Sequence, residues 1–356
     1  MGASYLIFTS SHIIKYVRQW YSNMGNEKAA NLLEYQNNTM ENAEGFSKRI
    51  QMSTLNQRLR NGEIILLDGA VGMELQQRGI PMDSEAWCAA AILSHPDVIR
   101  DIHAQYINLG VDVIITNTFS SARYALEAAK LGEETVKINT KAVELAQQAR
   151  DTNSAGKPVF IAGSISTFRL VGDGFTNFPM SETEAFAHFS EQAQVLAEAG
   201  VDLLVLEMMM DTTFAPICVE AAAMTGLPVW IGFSTAANTD RTEIKLRAGK
   251  EGSSFCEDLT VFTTLDFDAA TIMHTTPDIT DLSLPILKKH WQGPFGVYPH
   301  ARDNFTISDR DLGNILQPDQ VAKLATRWIS EGAQIIGTCC GFGPPYIRAI
   351  EEELMH

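Results

Sequence analysis

The chain has 356 residues, 45% of them hydrophobic and 20% charged, enough apolar material for a large buried core. Its 43 acidic side chains outnumber 27 Lys and Arg, and the net charge of −16 argues against a nucleic-acid partner, which needs clustered cations. Five cysteines, an odd number that includes one adjacent pair, argue against a disulfide scaffold and for a reducing compartment such as the cytoplasm.

Residues 1–55 differ in charge from the rest of the chain. Lys15, Arg18, Lys28, Lys48 and Arg49 stand against four glutamates there, so nearly all the acidity lies in the remainder. The apolar run Tyr5–Phe8 is too short to span a bilayer and lacks a basic flank. Gly2 resembles a myristoylation start, but Leu6 stands where Ser or Thr is wanted. The segment reads as an N-terminal extension, helical or mobile, ahead of an enzyme domain at 56–356 with no membrane partner.

From residue 64 a strand-then-helix alternation begins. Short apolar or β-branched runs predict buried parallel strands at Ile64–Asp68, Asp112–Thr116, Val159–Ser164, Leu203–Glu207, Val229–Phe233, Ala270–His274, Phe295–Tyr298 and Gln334–Thr338. Between them, helical periodicity runs from Pro96 to Leu109, capped by Ser94 and stopped by Gly110. It recurs from Ser181, with Glu184 completing a capping box, to Gly200, and again after Pro318. "LGVDVII" (109–115), "AGVDLLV" (199–205) and "EGAQIIG" (331–337) share one design, a glycine ending a helix before an apolar strand. Eight such strands, with no G-x-G-x-x-G after the first, predict an α/β fold of the closed (β/α)8 TIM-barrel type rather than a dinucleotide-binding sheet.

Barrel chemistry sits where strands end at the C-terminal mouth. Those positions hold Asp68, Asn117, Ser164, Glu207, Ser234, His274, Tyr298 and the pair Cys339–Cys340. A polar residue at a strand end is often only a turn former or helix cap, and that reading competes for Asn117, Ser164 and Ser234. The cysteine pair says more. In "GTCCGFGPP" two thiols leave the last strand between glycines, and soft thiolates select zinc, copper(I) or iron–sulfur, although two alone do not complete a site. Cys88, Cys218 and Cys256 are isolated and read as packing residues.

Six stretches carry a resemblance: "LLDGAVGMEL" (66–75), "GVDVIITNTF" (110–119), "VFIAGSIS" (159–166), "VDLLVLEMMMD" (201–211), "GVYPHARDNF" (296–305) and "GTCCGFGPPYIRAI" (337–350). In this order, from about residue 62 onward, the chain resembles the homocysteine S-methyltransferases, which include betaine- and S-methylmethionine-using enzymes. The resemblance implies zinc held by one cysteine ending the sixth strand and an adjacent pair ending the eighth, with the substrate thiol as fourth ligand. This chain departs at the first of these. It reads Met273-His274 where the family usually has Asn-Cys, so the implied metal set is His274, Cys339 and Cys340.

The resemblance further implies that no side chain acts catalytically beyond the zinc-activated substrate thiolate. Asp68 and Glu207 would hold the amino acid, Glu207 near its ammonium, and the turn Gly69–Glu74 would meet its carboxylate, with Asn117 and Ser164 beside them. Met73 stands where Thr is usual. An onium donor needs aromatic faces, for which Phe119, Phe168, Phe175, Phe178 and Tyr298 are candidates, core packing being the competing role. The chain ends about one helix after the cysteines, without the long C-terminal arm that the resemblance gives to betaine-using members, which inclines the donor towards a sulfonium such as S-methylmethionine; an oligomer remains compatible. A neutral imidazole in place of a cysteinate raises the charge of the zinc and its protein ligands from −1 to 0. The bound sulfur is then less electron-rich, predicting slower transfer or a more reactive donor. Two alternatives stay open: another thiol or selenol acceptor, or a non-catalytic amino-acid-binding barrel that has lost its metal.

Overall fold

The computed structural model describes residues 54–169, 179–301 and 316–355. Within them the chain forms strands β1 (Ile65–Leu66), β2 (Val113–Ile115), β3 (Phe160–Ser166), β4 (Leu203–Met209), β5 (Val229–Phe233), β6 (Thr235–Ala237), β7 (Ile244–Leu246), β8 (Ala269–Met273), β9 (Phe295–Tyr298) and β10 (Ile335–Ile336). Strands β6 and β7 are an antiparallel hairpin. The other eight are parallel, in the order β1-β10-β9-β8-β5-β4-β3-β2. A parallel bridge between Leu67 and Val113 joins β1 to β2, so the sheet closes as the expected (β/α)8 barrel.

Each expected strand is present, with β1, β2 and β10 shorter than the runs that announced them, β1 and β10 most of all. Their outer residues, Asp68 and Thr338, leave the ladder to build the mouth. Side chains alternate between two cores, as the pleat requires. Ile161, Ile165, Leu204, Leu206, Ile231, Phe233, Ile272 and Val297 join the layer packed against the helices. The alternate positions, among them Phe160, Val205, Trp230, Met273 and Tyr298, are buried but outside that layer, and fill the barrel.

The helices match their sequence signals closely. Ser181 caps Glu182–Ala199 with the reciprocal box to Glu184, and Pro318 starts Pro318–Ser330. One expectation fails. Pro96–Asn108 is preceded by His95 at its N-cap, not Ser94; Ser94 ends a short helix, Ala91–Ser94, and its hydroxyl donates to Ala90 O at 3.1 Å. Pro96 fixes the helical φ of the first turn, so no serine cap is required there. The three glycine joints adopt left-handed backbone, with φ of +86° at Gly110, +102° at Gly200 and +104° at Gly332, which a Cβ would oppose.

The N-terminal end of the barrel is tied by a repeated device. Asp112, Asp202 and Asp268 each precede a strand and accept the backbone N–H of Leu66, Ile161 and Val229 at 2.9, 2.8 and 2.9 Å. Arg58 pairs with Asp112 at 2.9 Å, and burial of the aspartate makes that pair part of the floor rather than a surface ornament. Among the described residues no helix is long and apolar enough to cross a membrane.

Candidate active site

Two strand ends meet at the opposite, C-terminal face. β8 stops at Met273, and His274 turns out of the ladder with φ +43°, a left-handed backbone costing a non-glycine residue about 1–2 kcal/mol. After β10 the chain passes through Thr338 to Cys339 and Cys340. Cys339 N donates to Pro299 O at 2.9 Å, Ala301 N donates to Cys340 O at 2.9 Å, and Phe342 N closes the turn on Cys339 O at 3.1 Å. The loops after β9 and β10 are thereby knitted together around the thiols.

The result is a compact donor set. His274 Nδ1 lies 3.8 Å from Cys339 Sγ, and the two cysteine sulfurs lie 3.8 Å apart as free thiols. All three donor atoms fall within 4.8 Å of one another. A tetrahedral ion with Zn–S of about 2.3 Å and Zn–N of about 2.0–2.1 Å has ligand–ligand edges of about 3.5–3.8 Å. The cluster therefore fits zinc with three protein ligands and one open position. The hydrogen bond with Cys340, together with burial, drives the Cys339 thiol well above its ordinary range, so a cation is the natural means of ionising it. A second histidine, missed in the sequence, packs on the first: the His300 ring is buried with its centroid 4.3 Å from that of His274.

Two carboxylates stand beside the cluster. Asp68 is buried; its Oδ2 accepts Ile115 N at 3.0 Å, while Oδ1 has no hydrogen-bond partner among the described residues. Burial pushes its pKa well up, and the charge of Glu207 adds to the rise. Glu207 is presented by a β-bulge. Leu206 pairs with Ile231 and Met209 with Phe233, leaving an extra residue, Met208, at φ +54°. Burial pushes Glu207 up to about 7, against the opposing hydrogen bond donated by Ser164 Oγ and the attraction of His274. A buried and a half-buried acid thus stand in electrostatic contact, one with an unsatisfied oxygen.

The other expected residues divide. Gly69 is required by close approach: a Cβ there would lie 2.6 Å from Tyr106 OH and 2.9 Å from Thr338 Oγ1. The helix it precedes, Val71–Gln77, has Ala70 at its N-cap and no side-chain cap. Glu74 lies within the first turn of that helix. Its amide donates to Ala70 O at 3.3 Å, and its carboxylate lies beside Gly343 and 4.0 Å from Arg78. Asn117 is buried with Nδ2 donating to Cys88 O at 3.1 Å, which fixes the loop after β1.

Phe119 and Phe168 do meet, centroids 5.4 Å apart, and Trp87 stands edge-on to Phe119 at 5.8 Å. Tyr298 is buried inside the barrel, its hydroxyl against Gly232 on β5 and in electrostatic contact with Glu207, Cys339 and Asp68, and Phe175 and Phe178 lie outside the described residues. Trp87 was not signalled by any strand end. It sits in the long loop after β1, where Asp83 Oδ1 accepts Glu85 N at 2.7 Å and Ala86 N at 2.8 Å, and the Arg169 guanidinium pairs with Glu85. Cys88 and Cys218 are buried, and burial raises both thiols, Cys88 to about 12. Cys256 departs from its expected packing role: it is exposed, with Sγ 3.1 Å from His290 Nε2.

A parallel eight-stranded barrel with thiols, an imidazole and paired acids at its C-terminal mouth has the plan of the (β/α)8-barrel enzymes, whose active sites lie at that face. The sequence profile of homocysteine S-methyltransferase matches residues 65–354, and the chain belongs to that family of methyltransferases. Among curated relatives, the selenocysteine methyltransferase of Astragalus bisulcatus is 26% identical, spanning 81% of this chain and 92% of its own length. Betaine–homocysteine S-methyltransferase 1 of Bos taurus is 29% identical over 84% of this chain and 74% of its own. The fold matches the metallated form of the homocysteine methyltransferase MmuM from Escherichia coli with TM-score 0.67 and 23% identity, covering 82% of this chain and 96% of that one.

Proposed function

We propose that the unit at residues 56–356 is a zinc-dependent S-methyltransferase that moves a methyl group from a small onium donor to the thiol of homocysteine, forming methionine. The observation that carries this reading is the clustering of His274 Nδ1, Cys339 Sγ and Cys340 Sγ within 4.8 Å. The buried Asp68 and half-buried Glu207 would serve beside it as a receptor for an amino acid's ammonium.

His274, Cys339 and Cys340 would hold the zinc, which when bound supplies the Lewis acidity that lets a thiol ionise at neutral pH. The substrate sulfur then forms a bond to the methyl carbon as the carbon–heteroatom bond of the donor breaks. The electron pair goes to the donor, which leaves neutral. Asp68 and Glu207 orient the acceptor through its ammonium, and Ser164 fixes the Glu207 carboxylate by its hydrogen bond. The aromatic faces of Trp87, Phe119 and Phe168 would hold a methylated cation and keep water from it. S-methylmethionine and betaine both have the required charge. Free thiols throughout suit a reducing compartment such as the cytoplasm.

A second acceptor class is favoured by one residue. His274 gives the zinc and its protein ligands a charge of 0, which leaves a coordinated sulfur less nucleophilic and makes a selenol the better acceptor. A screen of thiol and selenol acceptors against sulfonium and betaine donors, on zinc-loaded protein, tests both. Methionine formation from homocysteine supports the first reading. Turnover of the selenol alone supports the second, and stoichiometric zinc without turnover of any pair refutes both.

A further inference from the structure

His274 offers its ring from a left-handed backbone, φ +43°, uncommon for a non-glycine residue and constrained here by its neighbours. The constraint comes from the β6–β7 hairpin. Arg247 comes directly after β7, and its Nη2 donates to the His274 carbonyl at 3.2 Å. Ser234, at the end of β5, donates from Oγ to Met273 O at 3.0 Å and reaches His274 O at 3.5 Å. The hairpin is in turn fastened to the barrel: Arg247 N donates to Ser234 O and Ala248 N to Met210 O, each at 3.0 Å. The ends of β4, β5 and β8 are thus strapped together, and the strap ends on the carbonyl of the one non-cysteine donor.

On the far side, His300 packs its ring on that of His274 and its amide donates to Thr275 O at 3.2 Å. The imidazole is therefore held at its ring by His300 and at its carbonyl by Arg247. If the 274–275 peptide rotated towards ordinary φ, the side chain would swing and Nδ1 would leave the 3.8 Å separation from Cys339. A guanidinium suits this task, because it is planar, permanently charged and able to brace a carbonyl without titrating.

We propose that Arg247 is a positioning residue of the metal centre, holding His274 in the left-handed conformation that aims Nδ1 at the Cys339–Cys340 pair. The inference rests on the reading of these three residues as zinc ligands. It makes the hairpin after β5 the element that allows a histidine to occupy this position.

The test measures zinc affinity of the full chain by competition with a chromophoric chelator, with no methyl donor or acceptor present. Arg247→Met is expected to weaken zinc binding by about 10–100-fold, the range for outer-shell partners of metal ligands, and Arg247→Lys by less. In a His274→Ala background, adding Arg247→Met should change nothing further, because the group it positions is gone. Wild-type affinity in Arg247→Met, or an equal loss in both backgrounds, would overturn the proposal. If Arg247→Met does not fold, Arg247→Lys and Ser234→Ala carry the same comparison: a loss seen only with His274 present supports the proposal, and no loss overturns it. Failure of the wild-type chain to bind zinc at all would instead remove the functional reading beneath it.

Discussion

Glu207→Gln separates the energetics of this site from its chemistry. Burial raises the Glu207 carboxyl from an ordinary 4.5 to about 7, a difference equivalent to about 3 kcal/mol between its neutral and charged forms. In the metal-free, substrate-free protein the folded value lies above the unfolded one. Stability contributed by the neutral acid is therefore whole below 4.5 and is lost as pH rises through 7. Glutamine carries no such penalty and can still accept from Ser164. The stability advantage of the variant over wild type should grow by about 2 kcal/mol between about pH 5 and about pH 8, read from urea unfolding of the metal-free proteins. The same variant should lose affinity for the amino-acid acceptor, because an arriving ammonium stabilises the very charge that burial opposes. Acceptor binding by the wild type should accordingly strengthen as pH rises towards 7. A stability difference equal at both pH values would refute the assignment of Glu207 as a desolvated, cation-seeking acid.

The geometry sets three further outcomes. His274→Ala removes one of four prospective zinc ligands; spreading about 10–16 kcal/mol of zinc binding over four gives a loss of about 3 kcal/mol, roughly two decades in affinity by chelator competition, and His274→Cys should restore it and speed transfer from ordinary donors. Gly69→Ala places a Cβ 2.6 Å from Tyr106 OH and should destabilise the fold by about 1–3 kcal/mol, seen as a lowered Tm. Trp87→Ala removes a face of the aromatic group and should raise KM for the onium donor by roughly 2–30-fold, matching about 0.5–2 kcal/mol of cation–π attraction, with KM for the thiol acceptor unmoved.

What the chain discloses of itself depends on the range of the interaction involved. The eight strands were legible because each is an apolar run whose burial on both faces is written in consecutive residues, as in Val229–Phe233. The glycine joints and the Ser181–Glu184 box were legible because they are local in sequence. Ser94 misled because two signals, a serine and a proline, compete within three residues, and the proline governs the helix start. The donor set was partly legible: the strand-end rule finds His274 and both cysteines, since the fold carries strand ends to one mouth. That rule is blind to long loops, so it could not find Trp87.

The same distinction explains why a histidine could be noticed at 274 while the means of holding it could not. A cysteine at this point needs only to bring its sulfur to the cluster from a short stem. An imidazole is longer and planar, and its donor nitrogen is aimed by the backbone as much as by the side chain. That demand is met by a left-handed residue braced through its carbonyl by Arg247, 27 positions earlier on a separate hairpin. No periodicity or motif encodes a contact between a guanidinium and a backbone oxygen across that distance; it exists only once β5, the hairpin and β8 lie side by side. A histidine at this point should therefore need a matching brace. Grafting a histidine at this point into a metal-binding barrel that offers no guanidinium to its carbonyl should give a weaker metal site than this chain has, as zinc competition on the two proteins would show. Equal affinity in the unbraced graft would mean that the strap is incidental to the histidine.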